Sequence, residues 1–206
     1  MSQPHIMLFA IPGSRGLRCT ATLEELGLDY TFQPIMPGTT LANELHCMGK
    51  TPILKYGEFT MIESVAICMF LAARHGEGKL LPVDGTDLRA RHDEMLWFVV
   101  NELEQPLWTL GKHGFVMPEP ARVPAIKPVA KAEFARGLAG FDKLLTSDGP
   151  YALGEQFTVL DIIAAHTLNW ALRANCPLDA PRVQAYHGRV LSRPAFAAAH
   201  ARETAD

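Results

Sequence analysis

Two four-residue runs of β-prone character, Ile53-Leu54-Lys55-Tyr56 and Phe59-Thr60-Met61-Ile62, stand two residues apart, and nine apolar residues (65–73) follow almost at once. The spacing predicts a hairpin. Gly57-Glu58, with glycine first, suits a type II′ turn. The apolar stretch predicts a buried helix with Gly76 as its stop. Upstream, the run 6–11 reads as a buried strand and Pro12-Gly13-Ser14-Arg15-Gly16 as a turn. Residues 17–26 read as a helix with Glu24 and Glu25 outside and Gly27 ending it. A second strand is expected at 30–33 and a weak helix at 41–48. Strand, helix, strand with a right-handed crossover implies a parallel pair. The order is therefore βαβαββα.

The pattern changes beyond residue 77. Residues 78–88, with their glycines and proline, predict a linker. From there to 206 the periodicity is helical. Leu88, Met95, Leu96, Phe98, Val99, Leu103, Leu107 and Leu110 mark one long helix that Pro106 should kink or break. Four prolines between 111 and 128 predict a loop or broken helix. Phe134, Leu138, Phe141 and Leu145 make one stripe over 129–145, and Ser147-Asp148-Gly149-Pro150 ends it. Thr158 and Asp161 have capping-box spacing, with Phe157 placed to staple onto Ile162. Two last helices flank Arg193-Pro194, where proline suits a first helical position. The expected division is 1–77, a linker at 78–88, and an all-helical 89–206.

Composition narrows the function classes. The chain has 206 residues, is 48% hydrophobic and carries a net charge of −3. It can bury a full core, and it has no basic footprint for nucleic acid. No run of apolar residues is long enough to span a membrane. The polar start Met1-Ser2-Gln3-Pro4-His5 does not read as a signal peptide. Cys19, Cys47, Cys68 and Cys176 match no metal or redox spacing, and they fit a reducing, cytoplasmic setting. Cys68 is expected in the core and Cys176 at a helix end. Cys19 and Cys47 are the two to examine for reactivity. His46 is expected at the surface.

Pro52 opens a strand, where a missing N–H does no harm. Glu63-Ser64 sits where a strand enters a helix, and Ser64 is a good N-cap type. Free amides and the positive dipole end at such a junction favour a carboxylate. The run Gly49-Lys50-Thr51-Pro52-Ile53-Leu54, then Glu63-Ser64 opening an apolar helix, resembles the glutathione site of the cytosolic glutathione S-transferase superfamily. Gly-Ser-Arg-Gly-Leu-Arg after the first strand resembles its bacterial and fungal serine-type members. Leu153-Gly154-Glu155-Gln156-Phe157-Thr158-Val159-Leu160-Asp161 resembles the capped helix of the family's second domain. The resemblance covers essentially the whole chain. It implies an α/β thioredoxin-like N-terminal domain plus an all-α C-terminal domain. No Cys-x-x-Cys follows the first strand, so dithiol chemistry is not expected there.

The resemblance implies an enzyme that activates the glutathione thiol for attack on a small apolar electrophile. It further implies glutathione as co-substrate, no metal, and a homodimer formed by the helices beginning near Val65 and Asp87. A glutathione-dependent peroxidase or disulfide reductase and a non-catalytic transferase-like binding protein stand as alternatives. Ser14 takes the place of the thiol-activating donor, and it could equally cap the first helix. Arg15 could favour a thiolate or a substrate carboxylate, and Cys19 could form mixed disulfides. Lys50 would meet the glycine carboxylate, although Leu45-His46-Cys47-Met48 departs from the Asn-Pro common in relatives. Thr51, ahead of Pro52, would pair with the tripeptide through its backbone. Glu63 and Ser64 would hold the γ-glutamyl end. Trp108, His113, Phe115 and Met117 would line the second-substrate pocket, or simply pack the helices.

Overall fold

The computed structural model describes residues 4–146 and 149–205. Residues 1–3, at the polar start, and Ser147-Asp148, in the predicted helix terminator, lie outside the described residues. The chain forms two compact units, one from 1–81 with 192–206 and one from 82–191.

The first unit is built on a four-stranded sheet in the order β2-β1-β3-β4: β1 Ile6–Ala10, β2 Thr31–Pro34, β3 Ile53–Tyr56 and β4 Phe59–Ile62. β1 pairs parallel with β2 and antiparallel with β3, and β3 pairs antiparallel with β4. The parallel pair and the hairpin follow the sequence pattern. Gly57 has φ 60°, as the first central residue of a II′ turn requires. Helices α1 (Gly16–Glu25), α2 (Thr40–Leu45) and α3 (Ser64–His75) connect or follow the strands. Ile6, Leu8, Ile53, Leu54, Leu23, Ile67 and Leu71 are almost wholly buried and form the core of this layer. α2 is shorter than the sequence pattern suggested, because His46 leaves the helical conformation at φ −131°. The last helix, α9 (Pro194–Thr204), completes this unit rather than the helical one. It packs on α1, with Phe196 and Ala199 buried.

The second unit is helical: α4 (Asp87–Phe98), α5 (Gln105–Gly111), α6 (Ile126–Leu144), α7 (Val159–Arg173) and α8 (Pro181–Leu191). Pro106 does not break the helix between α4 and α5. The six residues Val99–Glu104 switch to π-helical bonding just ahead of it, which lets the backbone pass a position that cannot donate. Gly137 of α6 lies against this passage. A Cβ there would sit 2.3 Å from the Glu102 carbonyl oxygen, so only glycine permits the approach. Residues 112–121 are broken into π-helical and 3₁₀ turns, in keeping with the prolines there. α6 begins three residues earlier than its stripe predicts, with Pro128 in its first turn, where the missing N–H has no helical role.

Asp161 organises the start of α7. Fully buried, it accepts from the Thr158 amide at 2.8 Å, the Ala152 amide at 2.8 Å, the Tyr186 hydroxyl at 2.9 Å and the Thr158 hydroxyl at 3.2 Å. The contact from the Thr158 amide belongs to the expected capping box. The contacts to Ala152 and Tyr186 add a loop and α8 to it. Burial raises the Asp161 pKa against the pull of those four donors.

Candidate functional site

The strand register determines where the candidate residues gather. Phe9, near the end of β1, lies opposite Ile53, the start of β3, and Ile53 lies opposite Ile62, the end of β4. The turn after β1, the residues before β3 and the junction after β4 therefore emerge at one end of the sheet. The end of β2 is there too, with Pro34 opposite Ala10. Ser14 and Arg15, Lys50 to Pro52, and Glu63-Ser64 are brought to that end from three parts of the chain.

The first segment is a tight turn. Gly13 has φ 70°, a conformation L side chains rarely adopt. The Ser14 amide donates to the Ile11 carbonyl at 3.1 Å, and the Leu17 amide donates to the Ser14 carbonyl at 3.0 Å. The Ser14 hydroxyl oxygen accepts from the Gly16 amide at 3.3 Å. Ser14 is not the cap of α1: that position is Arg15, with no side-chain cap bond, and the Ser14 hydroxyl meets the Gly16 amide from one residue further out. Accepting that bond does not use a hydroxyl's proton. Gly16 itself is required: a Cβ would lie 2.3 Å from the Ala10 Cβ. Arg15 is half-buried at the start of α1.

The second segment is carried by the loop after α2. The Gly38 amide donates to the Gly49 carbonyl at 2.9 Å, and Gly49 has φ 59° against Asn43. Lys50 follows, exposed. The Thr51–Pro52 peptide bond is cis, Pro52 is buried, and Thr51 is half-buried. Among the described residues the Thr51 amide and carbonyl enter no backbone hydrogen bond. His46 corrects the expectation of a surface histidine. It is only 5% exposed, and its Nδ1 accepts from the Met48 amide at 3.0 Å, so the ring closes the loop end.

The third segment is the junction of β4 and α3. Ser64 is the first residue of α3 rather than its cap. The capping position belongs to Glu63, at φ 70° and ψ 108°. A non-glycine residue held there costs about 1–3 kcal/mol, and such strain clusters at ligand sites. Glu63 is exposed. The first helical bond runs from the Ile67 amide to the Glu63 carbonyl, so the amides of Ser64, Val65 and Ala66 have no helical acceptor. The Ser64 hydroxyl, nearly buried, accepts from the Arg18 guanidinium at 3.4 Å.

Two charged residues at this end were not singled out from the sequence. Arg18 is 1% exposed, inside the buried stretch 16–23 of α1. Its signal was a charge placed among apolar helix positions. Glu203 of α9 accepts from the Gly13 amide at 2.6 Å and from the Thr20 hydroxyl at 2.8 Å. No local pattern could have revealed it. Cys19 is fully buried, and burial pushes its thiol pKa up, which argues against a reactive role. Cys68 and Cys176 are buried and Cys47 exposed; all four are free thiols.

Trp108, His113, Phe115 and Met117 lie along 108–117 of the second unit. Trp108 and Met117 are half-buried, and Phe115 is 73% exposed. The His113 ring accepts from the Val123 amide at 3.1 Å, and Arg122 donates to the Met117 and Phe115 carbonyls, so the broken segment is braced internally. No group of three or more His, Cys, Asp or Glu suited to a metal occurs among the described residues, and no described helix is long and apolar enough to cross a membrane.

Residues 8–79 match the family described as glutathione S-transferase, N-terminal domain, and residues 89–189 match glutathione S-transferase, C-terminal domain. Glutathione S-transferase 1 of Dianthus caryophyllus is 27% identical over 72% of this chain and 68% of its own. Among solved structures, a glutathione transferase from Methylococcus capsulatus superposes with a TM-score of 0.84 at 27% identity, covering 96% of this chain and 98% of the other. A sphingomonad glutathione S-transferase complexed with glutathione superposes at 0.82 and 27% identity, over 97% and 100%.

Proposed function

The chain belongs to the glutathione S-transferase superfamily, and from that premise we propose that it binds glutathione at the three-segment sheet end and activates its thiol for attack on a small apolar electrophile. The observation that carries this reading is the convergence of Ser14, Thr51-Pro52 and Glu63-Ser64 on one end of one sheet.

Each group suits one part of the tripeptide. The Thr51 backbone, unpaired among the described residues, can add the extended peptide as a short strand. The Ser64 hydroxyl and the amides opening α3 suit the γ-glutamyl carboxylate, and the exposed Glu63 carboxylate suits its ammonium. Lys50 offers a point charge to the glycine carboxylate. Arg15 adds positive charge beside Ser14.

The thiol is the chemical problem. A free thiol has a pKa near 8.5, and lowering it by about two units requires about 2.7 kcal/mol of preference for the anion. A hydroxyl donor at a helix start is of that order. Ser14, whose oxygen already accepts the Gly16 amide, donates to the sulfur. The thiol proton leaves to solvent. The thiolate electron pair then forms the new carbon–sulfur bond, and the displaced group departs with the pair of the bond it loses. Trp108, His113, Phe115 and Met117 are the proposed wall for the electrophile.

Ultraviolet titration of bound glutathione tests the reading. The wild-type protein should hold the thiolate well below pH 8.5, and Ser14→Ala should return the pKa to the free value. An unchanged pKa in Ser14→Ala would remove Ser14 from the mechanism. Glutathione that fails to bind at all would leave the binding-protein reading. We also infer a homodimer. The exposed Phe59 packs on Phe70 of α3 at 5.7 Å, and Trp97 of α4 is 55% exposed. A single-chain mass by sedimentation would refute it.

A further inference from the structure

We propose that Glu203, 190 positions away on the last helix, is a positioning residue that holds the Ser14 turn in its working conformation. The proposal rests on the reading of Ser14 given above.

The carboxylate sits 3% exposed between two donors, the Gly13 amide at 2.6 Å on one oxygen and the Thr20 hydroxyl at 2.8 Å on the other. Neither contact is a helix bond or a cap of α9 itself. Both reach across to the element that presents Ser14. Gly13, at φ 70°, is the pivot of that turn and has no side chain to anchor it. A glycine pivot has more accessible conformations than any other residue, so a turn built on one needs an external tether to stay in a single state. The carboxylate supplies it. One oxygen fixes the amide of Gly13, the residue before Ser14, and the other holds Thr20 in the second turn of α1.

The helix that delivers Glu203 is itself secured at both ends. Arg193 forms a two-pronged pair with Glu25 at 2.6 and 2.7 Å. Arg202 lies 3.7 Å from Glu24 and stacks 5.0 Å above the Tyr30 ring, whose hydroxyl donates to Glu24 at 2.7 Å. Between these clamps Phe196 and Ala199 are buried. This arrangement over-determines the position of α9 on α1. Catalytic geometry is sensitive on this scale, since a misplacement of about 1 Å can cost about a hundredfold in rate.

The experiment compares Glu203→Ala, Glu203→Gln and Ser14→Ala with the wild type. Three quantities are read: exchange of the Gly13 amide, glutathione affinity by calorimetry, and the thiolate fraction of bound glutathione by ultraviolet titration. Glutamine keeps one acceptor for the Gly13 amide, and its NH₂ can donate to the Thr20 hydroxyl, so it should behave close to wild type. Alanine keeps neither. Glu203→Ala should speed Gly13 exchange at least about tenfold and lower the thiolate fraction at pH 7 about three- to tenfold. Affinity should stay within about threefold, because Thr51, Glu63 and Ser64 are untouched. Should the alanine variant not fold, Thr20→Val removes one of the two contacts, and a smaller loss of thiolate is expected.

An unchanged thiolate fraction in the variants, beside a lowered thiol pKa in the wild type, overturns the positioning role and leaves the Ser14 reading standing. Equal losses in the glutamine and alanine variants also overturn it. A wild type that binds glutathione without lowering its thiol pKa defeats the Ser14 reading, and the positioning role falls with it. That failure is visible before any variant is made.

Discussion

Asp161 offers the sharpest stability prediction. The perturbation is Asp161→Ala. It removes the acceptor shared by the Ala152 amide, the Thr158 amide and the Tyr186 hydroxyl, all on residues at most 3% exposed. A buried donor left without a partner costs about 1–3 kcal/mol. Three of them, with some relaxation, give a loss of about 3–6 kcal/mol, a large share of the roughly 5–15 kcal/mol that holds a typical domain. Thr158→Ala, which removes only the hydroxyl contact, should cost about 1 kcal/mol. Asp161→Asn should fall between them, because its single carbonyl can serve the donors on one side only and its NH₂ faces the rest. The assay is urea unfolding followed by far-ultraviolet dichroism and by tryptophan fluorescence, so that non-coincident transitions would reveal independent melting of the two units. A loss below about 1 kcal/mol in Asp161→Ala would show that the four contacts do not act as the hub of α7.

Two further outcomes can be checked alongside. Glu63→Ala should weaken glutathione binding by about 1.5–3 kcal/mol, the worth of a hydrogen bond to a charged group, and calorimetry showing equal affinity would dismiss the ammonium contact. Burial lowers the pKa of both His92 and His187. For a depressed base the unfolded chain takes up the proton first. Stability is then fully present above the unfolded value of about 6.5 and lost as pH falls below it toward the folded values. The urea midpoint should therefore drop between pH 7.5 and 5.5, less steeply in His187→Leu; an identical slope in that variant would contradict the assignment.

Much of the scaffold of the candidate site was legible locally because its parts are local. The hairpin at 53–62, the glycine-first turn and the Glu63-Ser64 junction are set by short-range chain geometry, and they appeared where the pattern predicted. The gaps have specific causes. Glu63 adopts a left-handed backbone that its residue type disfavours, so the cap fell one residue earlier than Ser64. Pro106 reads as a break, yet a π-helical passage with Gly137 packed against it absorbs the missing donor. His46 reads as polar and exposed, but its ring nitrogen is used up on the Met48 amide.

Periodicity, turn residues and caps depend on interactions among residues a few positions apart, and so the sequence by itself determined the strands, most helices and the order βαβαββα. Which ends of those elements meet depends on strand register and on packing between distant segments. Only the tertiary structure could place Ser14, Thr51 and Glu63 at one sheet end, bury Arg18 against Ser64, and carry Glu203 back across 190 residues to the Gly13 amide. A carboxylate on a C-terminal helix leaves no periodic trace of the amide it will meet, because that contact exists only once both helices have docked.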